Sequence, residues 1–193
     1  MKFSIWSAAA VLSFLTTTTT AQQYPFEVNT TTPSAVFFRI FSYGSLNGRS
    51  LQLRKQSDGS QIVVVDSSSP VLWAELRKGI LYSEAKTNTN QRYDLGPVGF
   101  LKNVTGSAPT FSLQEFSFKN ATKTEKATSG FVLEFPTNDA VYSLYHRVPN
   151  GVTNGWIACR KGGDYWQIYY NTYNTTPPDY PGCVFLGIEV SIA

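Results

Sequence analysis

The chain has 193 residues, of which 42% are hydrophobic and 15% are charged. That length holds one ordinary domain plus a leader but not two full domains, and the apolar share excludes a globally disordered chain. A formal charge of +3, from 16 Lys and Arg against 13 Asp and Glu, is too small and too evenly scattered for a nucleic-acid or anionic-membrane surface. One His and two Cys exclude multi-cysteine zinc sites and histidine-rich metal sites, and the acidic residues follow no calcium-loop spacing, so no metal or cofactor is expected.

Met1 and Lys2 precede a mostly apolar stretch, Phe3 to Leu15, then a threonine run, Thr16 to Thr20, and Ala21. A short basic start, an apolar segment of about a dozen residues and a small final residue predict a secretory signal peptide, 1–21, cleaved after Ala21. The apolar segment falls short of the roughly 20 residues a membrane-spanning helix needs, so no membrane span is expected. Loss of Lys2 with the leader leaves 15 basic residues against 13 acidic ones. Residues 22–34, polar and proline-bearing, read as a mobile N-terminal arm, leaving 35–193 for a single domain.

From Val36 onward the pattern is β. Val36 to Phe41 is aromatic and β-branched, Leu51 to Arg54 alternates, and Gln61 to Asp66 is a buried-strand run. Val71 to Leu76, a turn at Lys78-Gly79 and Ile80 to Tyr82 predict a hairpin. Tyr93 to Leu95, Gly99 to Lys102 and Thr110 to Phe118 follow; in the last of these Phe111, Leu113 and Phe118 are not all in phase, which predicts a bulge near Glu115. Gly130 to Phe135, Ala140 to His146, Gly155 to Cys159, Asp164 to Tyr170 and Cys183 to Ile192 complete the series. No window sustains a 3.6-residue stripe, and about a dozen short strands at this spacing point to a barrel, a trefoil or a sandwich. Three units of roughly 40–50 residues can be opened near Phe37, Tyr93 and Phe131, so an all-β, trefoil-like barrel is preferred to a β-sandwich.

Asn29, Asn103, Asn120 and Asn174 each begin an Asn-x-Thr sequon in a polar, turn-like context, which predicts N-glycosylation of a secreted chain. Cys159 and Cys183 are an even count in an oxidising compartment and read as one disulfide. Closing that loop of about 25 residues stabilises the fold by roughly 3–4 kcal/mol in the chain-entropy model.

For chemistry, His146 lies at the end of an alternating strand, and Ser45 lacks the glycine pattern of a nucleophile elbow. The imidazole reads as bonded locally or to water. Glu75, Glu84, Glu115, Glu134 and Glu189 cannot be paired from sequence, and most read as solvated strand-face residues. The aromatic cluster is more informative. With Tyr165 to Tyr170 as a strand, Trp166, Ile168 and Tyr170 face the core, while Tyr165, Gln167 and Tyr169 form a wet or half-covered face. With Tyr173 nearby, that face offers flat rings and an amide to a saccharide, or else serves as ordinary rim packing.

Gly155-Trp156-Ile157-Ala158-Cys159, Tyr165-Trp166-Gln167-Ile168-Tyr169-Tyr170 and Pro178-Asp179-Tyr180-Pro181-Gly182-Cys183 with an alternating last strand form a recurrent pattern. It resembles the small secreted fungal cell wall proteins of the PhiA (phialide) type and, more distantly, the C-terminal domain of Pir-type cell wall mannoproteins. The likeness covers about 40 residues clearly and the mature chain loosely. It implies a Cys159–Cys183 disulfide, a compact β-domain and residence in the cell wall or medium; it carries no catalytic residues. The expectation is therefore a non-enzymatic, glycosylated cell wall or extracellular protein that contacts wall polysaccharide. The alternatives are a secreted effector, protein-inhibitor or lectin-like module with a protein target and, behind it, a small glycoside hydrolase.

Overall fold

The computed structural model describes residues 27–29, 31, 36–41, 44–83, 96–104, 113–122, 124–135, 141–148, 151–153, 155–162, 164–172 and 182–192. The predicted leader, most of the arm, the Tyr93–Leu95 strand, Glu84, Tyr173 and the Asn174 sequon lie outside them. The described residues form fifteen strands and no helix: β1 (Glu27–Asn29), β2 (Val36–Phe41), β3 (Gln52–Lys55), β4 (Gln61–Val65), β5 (Trp73–Arg77), β6 (Ile80–Ser83), β7 (Val98–Asn103), β8 (Leu113–Lys119), β9 (Phe131–Phe135), β10 (Tyr142–Val148), β11 (Gly151–Thr153), β12 (Trp156–Arg160), β13 (Trp166–Asn171), β14 (Cys183–Phe185) and β15 (Gly187–Ile192). All pairings are antiparallel and belong to one curled sheet, a half-barrel.

Local sequence explains the strands. In β2, Val36, Phe38 and Ile40 are buried while Arg39 and Phe41 point outward, the period-two pattern of a half-buried strand. Between β5 and β6 both turn residues have positive φ, 48° at Lys78 and 78° at Gly79. This is the two-residue hairpin turn whose twist matches the flanking strands.

Three long hairpins organise the chain: β3–β4, β7–β8 and β12–β13. The strands β2, β6 and β10 precede them, and β5, β9 and β15 follow. These six outer strands pair in the order β9–β10–β15–β2–β5–β6. In addition, the Phe131 amide donates to the Gly79 carbonyl at 3.0 Å, between the start of β9 and the β5–β6 turn. The outer strands that lie before the hairpins begin at Val36, Ile80 and Tyr142, with β11 between β10 and the third hairpin; the opening expected near Tyr93 lies outside the described residues. Phe131 begins β9, which follows the β7–β8 hairpin and pairs with β10.

The second strands of the hairpins pair with one another. β4 meets β8 through Gln61 and Ile62 and meets β13 through Val64 and Val65. β8 meets β13 through Leu113 to Glu115. One residue of each strand falls between its two partners: Val63, Phe116 and Ile168, all fully buried. They belong to a single main core with Phe38, Ile40, Leu76, Leu81, Phe131, Leu144 and Ile188. Phe116 packs against Trp156 (ring centroids 5.1 Å) and Phe131 (5.8 Å), and Trp156 packs against Tyr170 at 5.1 Å. The Trp156 indole N–H donates to the Leu144 carbonyl at 2.7 Å, so the largest core side chain buries no unmatched polar atom.

Three expectations change. The β7–β8 ladder runs without interruption from Val98↔Lys119 to Asn103↔Gln114, so there is no bulge at Glu115. The phase shift arises because both faces of β8 are covered: Phe116 and Phe118 enter the main core and Leu113 enters a second cluster. The arm is not wholly mobile, since Glu27, Val28 and Asn29 pair with Phe135, Glu134 and Leu133. Three residues are too few to display an alternation. The last run is two strands, because Leu186 donates its amide to the Trp156 carbonyl (3.1 Å) between β14 and β15. The expected disulfide joins Cys159 to Cys183, directly opposite each other on β12 and β14.

Gly155 enters β12 where Asn171 donates its amide to the Gly155 carbonyl at 2.7 Å. A Cβ at position 155 would stand 2.1 Å from the Asn171 carbonyl oxygen, whereas one at Gly162 meets nothing within 4 Å. Gly155→Ala is expected to cost about 3 kcal/mol or more in urea unfolding, and Gly162→Ala to stay within about 0.5 kcal/mol of wild type. Replacing both Cys159 and Cys183 by Ala is expected to lower stability by roughly 2–5 kcal/mol in the same assay.

Candidate functional site

The residues singled out around the aromatic strand lie on β13 and at its entry. Its inward face is as expected: Ile168 and Tyr170 are fully buried and Trp166 packs against the main core. The opposite face is not wet. Gln167 is 5% exposed and Tyr169 4% exposed, while only Tyr165 is half-exposed. The cause is position. β13 has β12 on one side and both β4 and β8 on the other, and cross-strand partners share a face. Tyr169 packs with Leu113, Ile157 and Cys159, against which Val104 and Cys183 also rest. The disulfide is thus part of a second, smaller core that roofs the expected contact surface.

At the centre of this face the Gln167 Nε2 donates to Glu115 Oε2 at 2.8 Å. The amide is committed to a carboxylate from a strand 52 residues earlier, a pairing that no local motif announces. Two cations sit over the rings. The Arg54 guanidinium lies 4.3 Å from the Tyr165 ring centroid, and the Lys161 ammonium lies 5.3 Å from that of Tyr169. Burial raises the Tyr169 phenol above its ordinary pKa, against a smaller lowering by Lys161. Arg54 also approaches Asp66 at 3.9 Å. Burial would raise the Asp66 carboxyl, but hydrogen bonds from the Ser69 hydroxyl and from the Ser69 and Ser68 amides outweigh it, and the net shift is downward. What stays open on this face is a rim: the Tyr165 ring, the Arg54 fork and the half-buried Glu115. That rim offers a flat apolar surface beside charged hydrogen-bonding groups.

His146 has a structural setting. Its Nε2 lies 3.0 Å from the Ser129 carbonyl, to which it donates, and its ring stands edge-on to Phe131 and Tyr170 at 5.3 and 5.2 Å. Nδ1 is buried without a partner. Of the carboxylates, Glu75 pairs with Arg77 within β5, and Glu134 stands outside the solvated majority expected: it is 7% exposed. Register places Glu134 and Glu189 on either side of Ser143, in β9, β10 and β15. Burial raises the Glu134 carboxyl, opposed by Arg147. Among the described residues no group of three or more His, Cys, Asp or Glu is placed to hold a metal ion, and no helix is long and apolar enough to cross a membrane. Comparison with protein-family models, curated protein sequences and solved structures returned no match to this chain.

Burial holds the His146 pKa below the ordinary value, against a raising contribution from the Ser129 bond. The unfolded chain therefore takes up this proton more readily than the folded one. The stability it contributes is complete above the unfolded value of about 6.5 and falls as pH drops through the folded pKa. Glu134 acts in the opposite sense: its raised folded pKa gives a contribution present at low pH and lost as pH rises through that value. In thermal melts from about pH 4 to 8, His146→Gln is expected to flatten the acid-side fall in Tm, and Glu134→Gln to raise Tm most at the neutral end.

Proposed function

We propose that this chain is an exported, glycosylated, non-enzymatic protein of the fungal cell wall or medium, akin to the PhiA type, that contacts wall polysaccharide at the rim around Tyr165. The observation that carries the reading is the Tyr165–Arg54 stack beside the Gln167–Glu115 pair: a partly exposed ring whose neighbours are already fixed by contacts to three different hairpins. Preorganised flat aromatics with adjacent hydrogen-bonding groups suit sugar rings and hydroxyls. Buried Gln167 and Tyr169 support that rim rather than touch the ligand.

The architecture that fits this reading is a β-trefoil. Its support is the threefold repetition of outer strand, hairpin and outer strand, the mutual pairing of β4, β8 and β13, and the equivalent places of Val63, Phe116 and Ile168. A fold of this kind presents loops from a rigid scaffold.

A second reading, a secreted effector or inhibitor with a protein target, has one observation in its favour. Phe41, Val184 and Phe185 are exposed at 52%, 40% and 42%, and Phe41 lies opposite Gly187, two residues beyond Phe185. Pull-down on insoluble glucan and chitin separates the two. Tyr165→Ala is expected to weaken retention about tenfold, equivalent to ~1.4 kcal/mol. Phe41→Ser with Phe185→Ser is expected to leave retention unchanged. Unaltered retention in both Tyr165→Ala and Arg54→Ala overturns the polysaccharide reading. Loss of a co-purifying extracellular protein only in the phenylalanine variant supports the second.

A further inference from the structure

A groove of about 660 Å³ opens on the other side of the second hairpin. One wall is β6 and the start of β7, with the half-buried Ile80 and Tyr82 side chains and the buried Val98 beneath; the opposite wall is the segment after β8, with Asn120, Ala121, Thr122 and Lys126. Its size is that of a small-ligand cleft, roughly 300–1,000 Å³, and its lining mixes an aromatic and an apolar surface with a few polar groups. Three consecutive residues of one wall, Asn120-Ala121-Thr122, are a sequon.

That wall is held in place. The Thr122 amide donates to the Glu125 carbonyl at 3.2 Å, and the Glu125 amide donates back to Thr122 Oγ1 at 3.0 Å. The Glu125 carboxylate pairs with Lys119 at the end of β8. At the far end of the segment, the Leu101 amide donates to Thr128 Oγ1 at 2.9 Å and the Thr128 amide to the Gly99 carbonyl at 3.1 Å. Asn120, Ala121 and Thr122 are exposed and outside any strand. Asn103, by contrast, lies within β7 opposite Gln114, whose side-chain amide donates to Asn103 Oδ1 at 3.0 Å.

We propose that Asn120 carries an N-linked glycan whose first sugars lie in this groove, with the Tyr82 ring and Ile80 against their apolar faces and Lys126 beside their hydroxyls. The inference rests on the reading of an exported glycoprotein and names the site and seat of its sugar. The covalent step is transfer from a lipid-linked oligosaccharide diphosphate. The sugar C1–O bond to the diphosphate breaks, a C1–N bond to Asn120 Nδ2 forms, and the displaced amide proton passes to the transferase. A glycan tethered at the wall reaches the groove at a high effective concentration, so weak contacts with Tyr82 suffice to seat it.

The test uses the full chain secreted from a eukaryotic host. Glycopeptide mass analysis is expected to find Asn120 occupied, and Thr122→Ala to remove that glycan alone. Enzymatic release of the sugar by a peptide amidase is expected to be about tenfold slower from the native protein than from the denatured one, and Tyr82→Ala to abolish most of the difference. If Tyr82→Ala is not exported, the thermal midpoints decide: Asn120→Gln is expected to fall below wild type by more than Asn103→Gln does. Equal native and denatured release rates, or equal midpoints, show a glycan projecting into solvent and overturn the seat. Binding of free N-acetylglucosamine oligomers by Asn120→Gln, with Asn120 unoccupied in wild type, assigns the groove to an external saccharide and also overturns it. An exported chain glycosylated elsewhere but not at Asn120 overturns this inference alone, whereas a chain with no occupied sequon, or one retained in the cell, overturns the glycoprotein reading itself.

Discussion

Three strands, β4, β8 and β13, each have to satisfy two neighbours at once, and the rest of the molecule follows from that constraint. An antiparallel strand has two hydrogen-bonding edges, and here each of the three divides one edge between the other two. At the point of division the residue has no partner across that shared edge, keeps one across its own hairpin, and turns its side chain inward. The chain fills those places with Val63, Phe116 and Ile168, all without solvent exposure. Each such burial stabilises the fold by about 1.5–3 kcal/mol. Trp156, Phe131 and Tyr170 pack around them, so hairpins distant in sequence share one core.

The same arrangement gives the hairpins a second buried face. A central strand with neighbours on both sides is roofed by their side chains, and Leu113, Ile157, Cys159 and Tyr169 assemble into a small outer cluster. The Cys159–Cys183 bond lies in that cluster and ties β14 to β12. The disulfide therefore holds β14 against the turn end of β12 and contributes apolar surface to the cap at the same time. Polar residues caught on this face are paired: Gln167 with Glu115, and Asp66 with Ser68 and Ser69. This is the usual requirement for buried polar groups. On the other side, against Phe131 and Tyr170 of the main core, His146 has a buried Nδ1 that lacks a partner among the described residues.

Function in this reading is confined to edges. Tyr165 is a rim residue because it precedes β13, before the roof of the second cluster begins. Tyr82 and Val98 border a groove because the chain leaves β8 into an anchored, non-strand segment that stands off from β6 and β7. Both surfaces are held by backbone hydrogen bonds and by side-chain pairs from elsewhere in the chain, the condition for a preorganised binding surface.

Strand identity was legible from residue type and period. Val36–Phe41 was read to the residue, the Lys78-Gly79 turn was read from its dipeptide, and the assignment of Ile168 and Tyr170 to the core followed from alternation alone. The cysteine pair was legible too, because two thiols admit one intramolecular pairing. Alternation, however, tells only that two faces differ, not how many neighbours will cover the second. Tertiary pairing decided that Gln167 and Tyr169 are buried, that Leu113 and Phe116 serve different cores without a bulge, and that Glu134 and Glu189 flank Ser143. The physical reason is that hydrogen-bonding edges are alike along every strand, so register between distant hairpins is chosen by packing at the junction, and that packing exists only once all three hairpins have met.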